Sequence, residues 1–186
     1  MLEKKDTVVV YKSKYGSTKY YADWIAKSIN ADLLEVLEVK IEELEKYKTI
    51  VYGGPLFAFK ISGVKLITQN LKKLKDKKII IFTTGILSET EKNRNSVIEQ
   101  NFTKDLKSQI KLFMLKGDFD IKKLNLLDKI MINTIKRKLK KMHKDKLDEN
   151  MKELLKIFDQ EKEETKKDSI QSIVECVNEE KEGDFY

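Results

Sequence analysis

"TVVVYKSKYGSTKYYADWIAKSI", residues Thr7 to Ile29, decides how the rest of the chain is read. Thr7 to Tyr11 are strand formers, and they run directly into a loop of small and hydroxyl residues: Ser13, Gly16, Ser17 and Thr18. No acidic residue lies between Thr7 and Tyr21. From Thr18 to Asn30 the pattern becomes helical, with Ala22, Ile25, Ala26 and Ile29 on one face. An apolar, β-branched run of this kind suits a strand buried on both faces of a parallel sheet. Gly16 can take a positive φ and let the backbone approach a ligand. The amides of residues 14–18 open a helix, and the helix dipole there favours an anion. Ser13, Ser17 and Thr18 add hydroxyl donors, and Lys14 adds charge if its side chain turns inward. The junction reads as a seat for a terminal phosphate. A plain tight turn before a capped helix would leave a similar pattern. The loop matches neither G-x-x-x-x-G-K-[ST] nor G-x-G-x-x-G.

The alternation continues downstream. "DLLEVLEV" (32–39) reads as a second strand near an edge, because it carries Glu35 and Glu38; "IEELEKY" reads as a helical turn. "KTIVYGG" (48–54) is a third strand stopped by two glycines, and "SGVKLITQNLKKL" an amphipathic helix capped by Ser62. "KKIIIFTTG" (77–85) is a fourth strand, a polar helix follows over about 90–108, and "QIKLFMLKG" (109–117) is a fifth strand. Strands alternating with helices imply parallel pairing with right-handed crossovers, hence an α/β sandwich. Residues 118–166 break the rhythm. They read as a helical, basic insertion within one domain spanning 1–186, with one amphipathic pattern, too little for its own core. "KKDSIQSIVECVNEE" closes the domain as a helix capped by Asp168 or Ser169, and the tail "KEGDFY" reads as frayed.

The chain has 186 residues, 40% of them hydrophobic, enough for a proper core. Its single cysteine, Cys176, excludes an intrachain disulfide framework and a cysteine-rich zinc site, which fits a reducing cytoplasm. The charged N-terminus reads against a signal peptide, and no stretch approaches the roughly 20 apolar residues of a membrane span. The net charge of +7 is concentrated between Lys116 and Lys146, where eleven basic residues face four acidic ones. Such a patch favours an acidic partner, an anionic membrane or nucleic acid. Nucleic acid is the weaker choice, because aromatics do not interleave with arginines.

Ligands of open parallel sheets bind beyond the carboxyl ends of the strands. Three such ends here are alike: "SKYGST", "GGPLFAFK" and "TTGILSE". None has an acid immediately at the strand end, which excludes a response-regulator receiver. Trp24 reads as core or half-buried packing, His143 as a solvated surface residue, and Cys176 as a buried apolar side chain. No cluster of histidine, cysteine and acids points to a metal, and no serine has a nearby histidine for a hydrolase triad. Over 121–142, Leu124, Leu127, Met131, Ile135, Leu139 and Met142 recur at helical steps among lysines. The simpler reading packs that stripe on the protein's own domain. The other lays it on an anionic membrane.

"VVVYKSKYGSTKYYADWIA" resembles the opening of flavodoxins, whose first strand runs into a T/S-x-T-G-x-T loop. Ser13, Gly16, Ser17 and Thr18 match; Tyr15 replaces the usual threonine. The Tyr-Gly pair is similar to a broader flavodoxin-domain branch that includes the menaquinone-dependent protoporphyrinogen dehydrogenases. "IVYGGPLFAFKI" resembles that branch's second loop, and "LKGDFDIKKLNLLDKIMINTIKRKLKK" its late segment; the similarity spans roughly residues 5 to 142. The resemblance implies a flavodoxin-like three-layer sandwich with a five-stranded parallel sheet in the order 2-1-3-4-5. It implies FMN, with the phosphate at Ser13, Lys14, Tyr15, Gly16, Ser17 and Thr18. It places the isoalloxazine ring between a second loop, Gly54, Pro55, Leu56, Phe57, Ala58, Phe59 and Lys60, and a third, Thr84, Gly85, Ile86 and Leu87, extending to Ser88. Neither ring loop has a tryptophan or tyrosine, so stacking falls to phenylalanine or is one-sided.

The function implied is electron transfer by an FMN-binding oxidoreductase, the flavin itself being the reactive centre. Its partners would be a redox protein, a quinone or a small-molecule donor or acceptor. Carriers of this family are usually strongly acidic, and this chain is basic. The alternative within the family is a quinone-dependent protoporphyrinogen IX dehydrogenase of heme biosynthesis. The alternative from another class is a non-catalytic phosphate- or nucleic-acid-binding module. The expected location is the cytoplasm, or peripheral at the inner face of the membrane.

Overall fold

In the computed structural model, residues 5–107, 109–160, 162–163 and 166–179 are described. The tail at 181–186 lies outside them. Five parallel strands form the centre: β1 (Thr7–Tyr11), β2 (Asp32–Glu35), β3 (Thr49–Phe57), β4 (Lys78–Gly85) and β5 (Ile110–Lys116). Their spatial order is β2-β1-β3-β4-β5, as expected. In register, Val9 stands between Leu33 and Val51, Val51 beside Ile80, and Ile80 beside Lys111. A short strand, Lys60–Ile61, folds back antiparallel on the end of β3.

Alternate residues of each strand feed two cores, because successive side chains point to opposite faces. Val8, Val10, Ile50, Tyr52, Ile79 and Ile81 pack on one side with Leu44, Ile67, Leu74 and Val97. Val9, Tyr11, Val51, Ile80 and Phe82 pack on the other with Tyr21, Ile25, Ile173 and Cys176. Each fully buried aliphatic or aromatic side chain contributes about 1.5–3 kcal/mol. Two-sided burial is therefore what holds the sheet.

The long helices are α1 (Ser17–Ser28), α2 (Glu91–Asn101), α3 (Leu126–Lys141), α4 (Glu149–Gln160) and α5 (Gln171–Asn178). Trp24 is half-buried against Tyr20 and Tyr21, His143 is exposed and Cys176 is buried. Several local expectations are corrected. The second strand ends at Glu35 and passes into a 3-10 turn at Val36–Glu38. The glycines do not stop β3, which continues to Phe57. Gly53 is needed because a Cβ there would stand 2.1 Å from the Phe82 ring. The expected helix over 62–74 is reduced to one turn, Lys65–Thr68. Gly63 sits at φ 80° with no room for a Cβ beside the Tyr52 hydroxyl, so the chain cannot enter a helix at Ser62. Neither Asp168 nor Ser169 caps α5, which grows out of a 3-10 turn at Lys167–Ile170.

The insertion holds two long helices where one pattern was read. Asn125 caps α3 by accepting the Asp128 N–H at 2.8 Å, so that helix starts at Leu126. At the start of α4, Asp148 accepts the Met151 N–H at 2.9 Å. Phe119–Asp120 pairs antiparallel with Lys162–Glu163 and closes the base of the insertion. Phe119, Ile132, Ile157 and Phe158 form a small buried cluster, joined by Ile86 from the main sheet's rim. The segment thus has apolar packing of its own, contrary to the expectation.

Candidate functional site

The rim at the carboxyl ends of β1, β3 and β4 brings the three loops side by side, because those strands are neighbours in the sheet. In loop 1, Lys12 extends the β1–β3 ladder by donating its N–H to the Gly53 carbonyl at 2.9 Å. Gly16 then turns the chain at φ 101°, ψ −34°. Its N–H donates to Ser13 Oγ at 3.1 Å. No side chain caps α1, and its first turn has no acid. By contrast, Thr90 caps α2 and Asn125 caps α3. The first amides of an α-helix have no partner within the helix. Those of α1 therefore open onto the loop-1 concavity, beside the Ser13 and Ser17 hydroxyls.

The hydroxyls divide their duties. Ser17 Oγ accepts the Asp118 N–H at 2.8 Å and keeps its own hydrogen to donate. Thr18 and Thr84 are both buried and share a hydroxyl–hydroxyl hydrogen bond of 2.7 Å. That bond stitches loop 1 to loop 3, so Thr18 faces a ligand through its backbone rather than its side chain. Lys14 and Tyr15 do not turn inward either. Lys14 Nζ donates to Asp128 at 2.5 Å, and the Tyr15 hydroxyl donates to the same carboxylate while accepting the Asn125 N–H at 3.3 Å. The bond to Asp128 raises the Lys14 pKa against the lowering effect of burial. The Lys14 and Tyr15 bonds hold the Asp128 carboxyl below its ordinary range.

In loop 2, Gly54 lies below the rim, its carbonyl taken by the Thr83 hydroxyl at 2.8 Å. Pro55 accepts the Ser62 N–H at 3.0 Å. Ala58 and Phe59 form a two-residue turn with φ 46° and 64°. Paired left-handed residues suit the twist of a tight hairpin, though the conformation costs non-glycine residues energy. Asn101 at the end of α2 braces the turn: it donates to the Phe59 carbonyl at 2.6 Å and accepts the Ile61 N–H at 2.8 Å. Leu56 packs toward Gly85, Phe59 is half-buried, and Phe57, Ala58 and Lys60 are exposed.

In loop 3, Gly85 accepts the Gly117 N–H at 2.9 Å. Ile86 turns its side chain into the insertion's cluster, and its carbonyl accepts Lys116 Nζ at 2.7 Å. Leu87 is half-buried. Glu153 on α4 accepts the Ser88 N–H at 2.9 Å, the Ser88 hydroxyl at 2.6 Å and Lys116 Nζ at 2.8 Å. Burial pushes the Glu153 carboxyl up, but Lys116 and Ser88 outweigh it and hold its pKa below the ordinary value. The insertion is therefore fastened to loop 1 by Asp128 and to loop 3 by Glu153. Sequence reading missed Asn101, Asp128 and Glu153 at this site. The capping position of Asp128, three residues after Asn125, was the one local signal available.

A family model described as a Flavodoxin domain matches residues 8–150. The chain belongs to the flavodoxin-domain family. No curated protein matches it. Among solved structures, it is similar to a flavodoxin from the Archaea, at 20% identity over 59% of this chain and 83% of that one, TM-score 0.38. It is also similar to the Trp repressor binding protein of Bacillus subtilis, at 16% identity over 60% and 84%, TM-score 0.47. A flavoprotein in complex with FMN from Lactobacillus acidophilus NCFM shares 16% identity over 61% and 93%, TM-score 0.39.

The residues present fit the cofactor of a flavodoxin domain. Loop 1 offers uncapped amides, a left-handed glycine and two small hydroxyls. The Asp128 carboxylate beside it is neutralised by Lys14. FMN is the mononucleotide that family membership supports here. Among the described residues no helix is long and apolar enough to cross a membrane.

Proposed function

We propose that this rim holds FMN and that the protein is an electron-transfer flavoprotein. The observation that carries the reading is the start of α1: a helix opened by left-handed Gly16, uncapped, free of acid and lined by Ser13 and Ser17. An anion there meets oriented N–H donors and the positive end of the helix dipole. FMN, when bound, supplies reversible transfer of one or two electrons. The chain's own contribution is to seat and orient it. Ser13, Ser17 and the amides of Tyr15, Ser17 and Thr18 bind the phosphate, while Gly16 turns the chain so that they can. Leu56, Phe59 and Leu87 offer apolar surface to the ring, and the backbone of Gly85 to Leu87 offers polar atoms to its edge. Lys14 stays on Asp128 and contributes by cancelling that carboxylate's charge.

The test is the colour of the purified protein, FMN release on denaturation, and titration of the stripped protein with FMN. A yellow protein yielding FMN is expected. A colourless one that refuses added FMN overturns the reading and favours a non-catalytic phosphate-binding module.

A finer reading is oxidation of a porphyrinogen with electrons passed to a quinone. What supports it is the basic insertion, which Asp128 fastens to loop 1 and whose positive charge suits an acidic tetrapyrrole. Side-by-side assays of porphyrinogen oxidation and of electron exchange with a redox protein decide between the two.

A further inference from the structure

The apolar residues of the basic helix divide between two faces. Ile132 and Leu139 are buried, and Met131 and Ile135 pack within the insertion's cluster. That face is satisfied inside the protein. The opposite face is not: Leu126 is 73%, Leu127 76% and Ile130 55% exposed. At about 100° per residue, the same outward face continues to Arg137, Lys138 and Lys141. All three are exposed and, among the described residues, form no ion pair. Lys136 and Lys140, which lean toward α4, instead bind Asp159 at 3.0 and 2.9 Å. The outward face of α3 is therefore aliphatic over its first turn and cationic over its last.

Its location adds a second observation. Asp128 fastens the first turn of α3 to loop 1. Of the seven large hydrophobic residues exposed among the described residues, five lie at this rim: Tyr15, Phe57, Leu126, Leu127 and Ile130. Scattered exposed hydrophobics need no explanation, whereas a concentration at one edge marks a contact surface.

We propose that the outward face of α3 docks on an anionic membrane surface. Leu126, Leu127 and Ile130 enter the boundary between headgroups and acyl chains. Arg137, Lys138 and Lys141 lie against lipid phosphates, their long stems following the apolar surface. The charge is complementary, since eleven basic residues between Lys116 and Lys146 face four acidic ones. A bilayer is favoured over an acidic protein because the three aliphatic side chains project outward. A fluid acyl layer receives projecting side chains without a matching groove. The inference stands apart from the cofactor reading, because flavin content is measured separately from vesicle binding.

The test sediments the full-length protein, loaded with FMN where it binds it, with vesicles of phosphatidylcholine alone or mixed with phosphatidylglycerol. Pelleting with the anionic vesicles is expected at low salt and should fall as salt rises. The Arg137→Ser/Lys138→Ser/Lys141→Ser variant should partition roughly 100-fold more weakly. The Leu126→Ser/Leu127→Ser/Ile130→Ser variant should lose roughly tenfold or more. The single variant Leu127→Glu, checked by circular dichroism, repeats that arm if the triple variant does not fold. No pelleting of the wild type at low salt overturns the proposal, as does equal pelleting of wild type and variants. Retention on immobilised polyglutamate without vesicle binding would assign the face to an acidic protein and overturn it too.

Discussion

Replacing Glu153 by glutamine tests whether the insertion holds the third loop. The carboxylate takes hydrogen bonds from the Ser88 amide, the Ser88 hydroxyl and Lys116. Its side chain is 24% exposed and that of Lys116 33%, so the group is sheltered but not sealed from water. A hydrogen bond to a charged group is worth about 1.5–3 kcal/mol, and three on one carboxylate do not add. Glutamine keeps the shape and one acceptor oxygen but loses the charge, so a net cost of about 2 kcal/mol is expected. For a chain of this size that lowers Tm by about 4–8 °C. The pH dependence has a definite sign. A carboxyl held below its ordinary 4.5 contributes stability that is complete above that value and is lost as pH falls through the folded-state pKa. The Tm gap between wild type and Glu153→Gln should therefore be full near neutrality and shrink in acid. Thermal melts followed by circular dichroism across that range read it directly. FMN titration of the variant should show affinity lowered roughly tenfold, through loss of order in loop 3. A gap that is absent, or that persists unchanged at about pH 3, refutes the clamp.

Two further substitutions probe the rim. Gly16→Val forces a β-branched residue to φ 101° and should weaken FMN binding by roughly 10- to 100-fold, whereas Lys14→Ala, whose ammonium sits on Asp128, should change it by less than about threefold. Flavin fluorescence titration compares them, and equal effects would count against the loop geometry. Gly53→Ala pushes a methyl to within 2.1 Å of the buried Phe82 ring and should cost about 1–3 kcal/mol or more, read from urea unfolding midpoints.

The strands were legible because their composition leaves no other choice. "TVVVY" and "KKIIIFTTG" are continuous apolar runs too short for helices and bounded by turn residues, and both are buried on two faces. The helix read into "SGVKLITQNLKKL" failed for a reason outside its own pattern. Gly63 is held at positive φ beneath the Tyr52 hydroxyl, which donates to the Ser62 carbonyl. α4 was read as part of a helical insertion but not as a separate amphipathic helix, although its signal was present: Leu154, Ile157 and Phe158 recur at helical spacing after a capping Asp148. At the site, Gly16 and its hydroxyl neighbours could be found because they are contiguous. The partners of the loops could not. Glu153 meets Ser88 across 65 residues of chain, Asp128 meets Lys14 across 114, and nothing local in either carboxylate names its mate.

The two carboxylate anchors make the extra arm answerable to the nucleotide. An appendage moored to the same turns that close around a ligand cannot be thermodynamically indifferent to that ligand. If loading the flavin steadies those turns, it steadies the moorings. Whatever pulls the arm away, a bilayer or a docking protein included, must loosen the grip on the flavin by the same factor with which the flavin resists the pull.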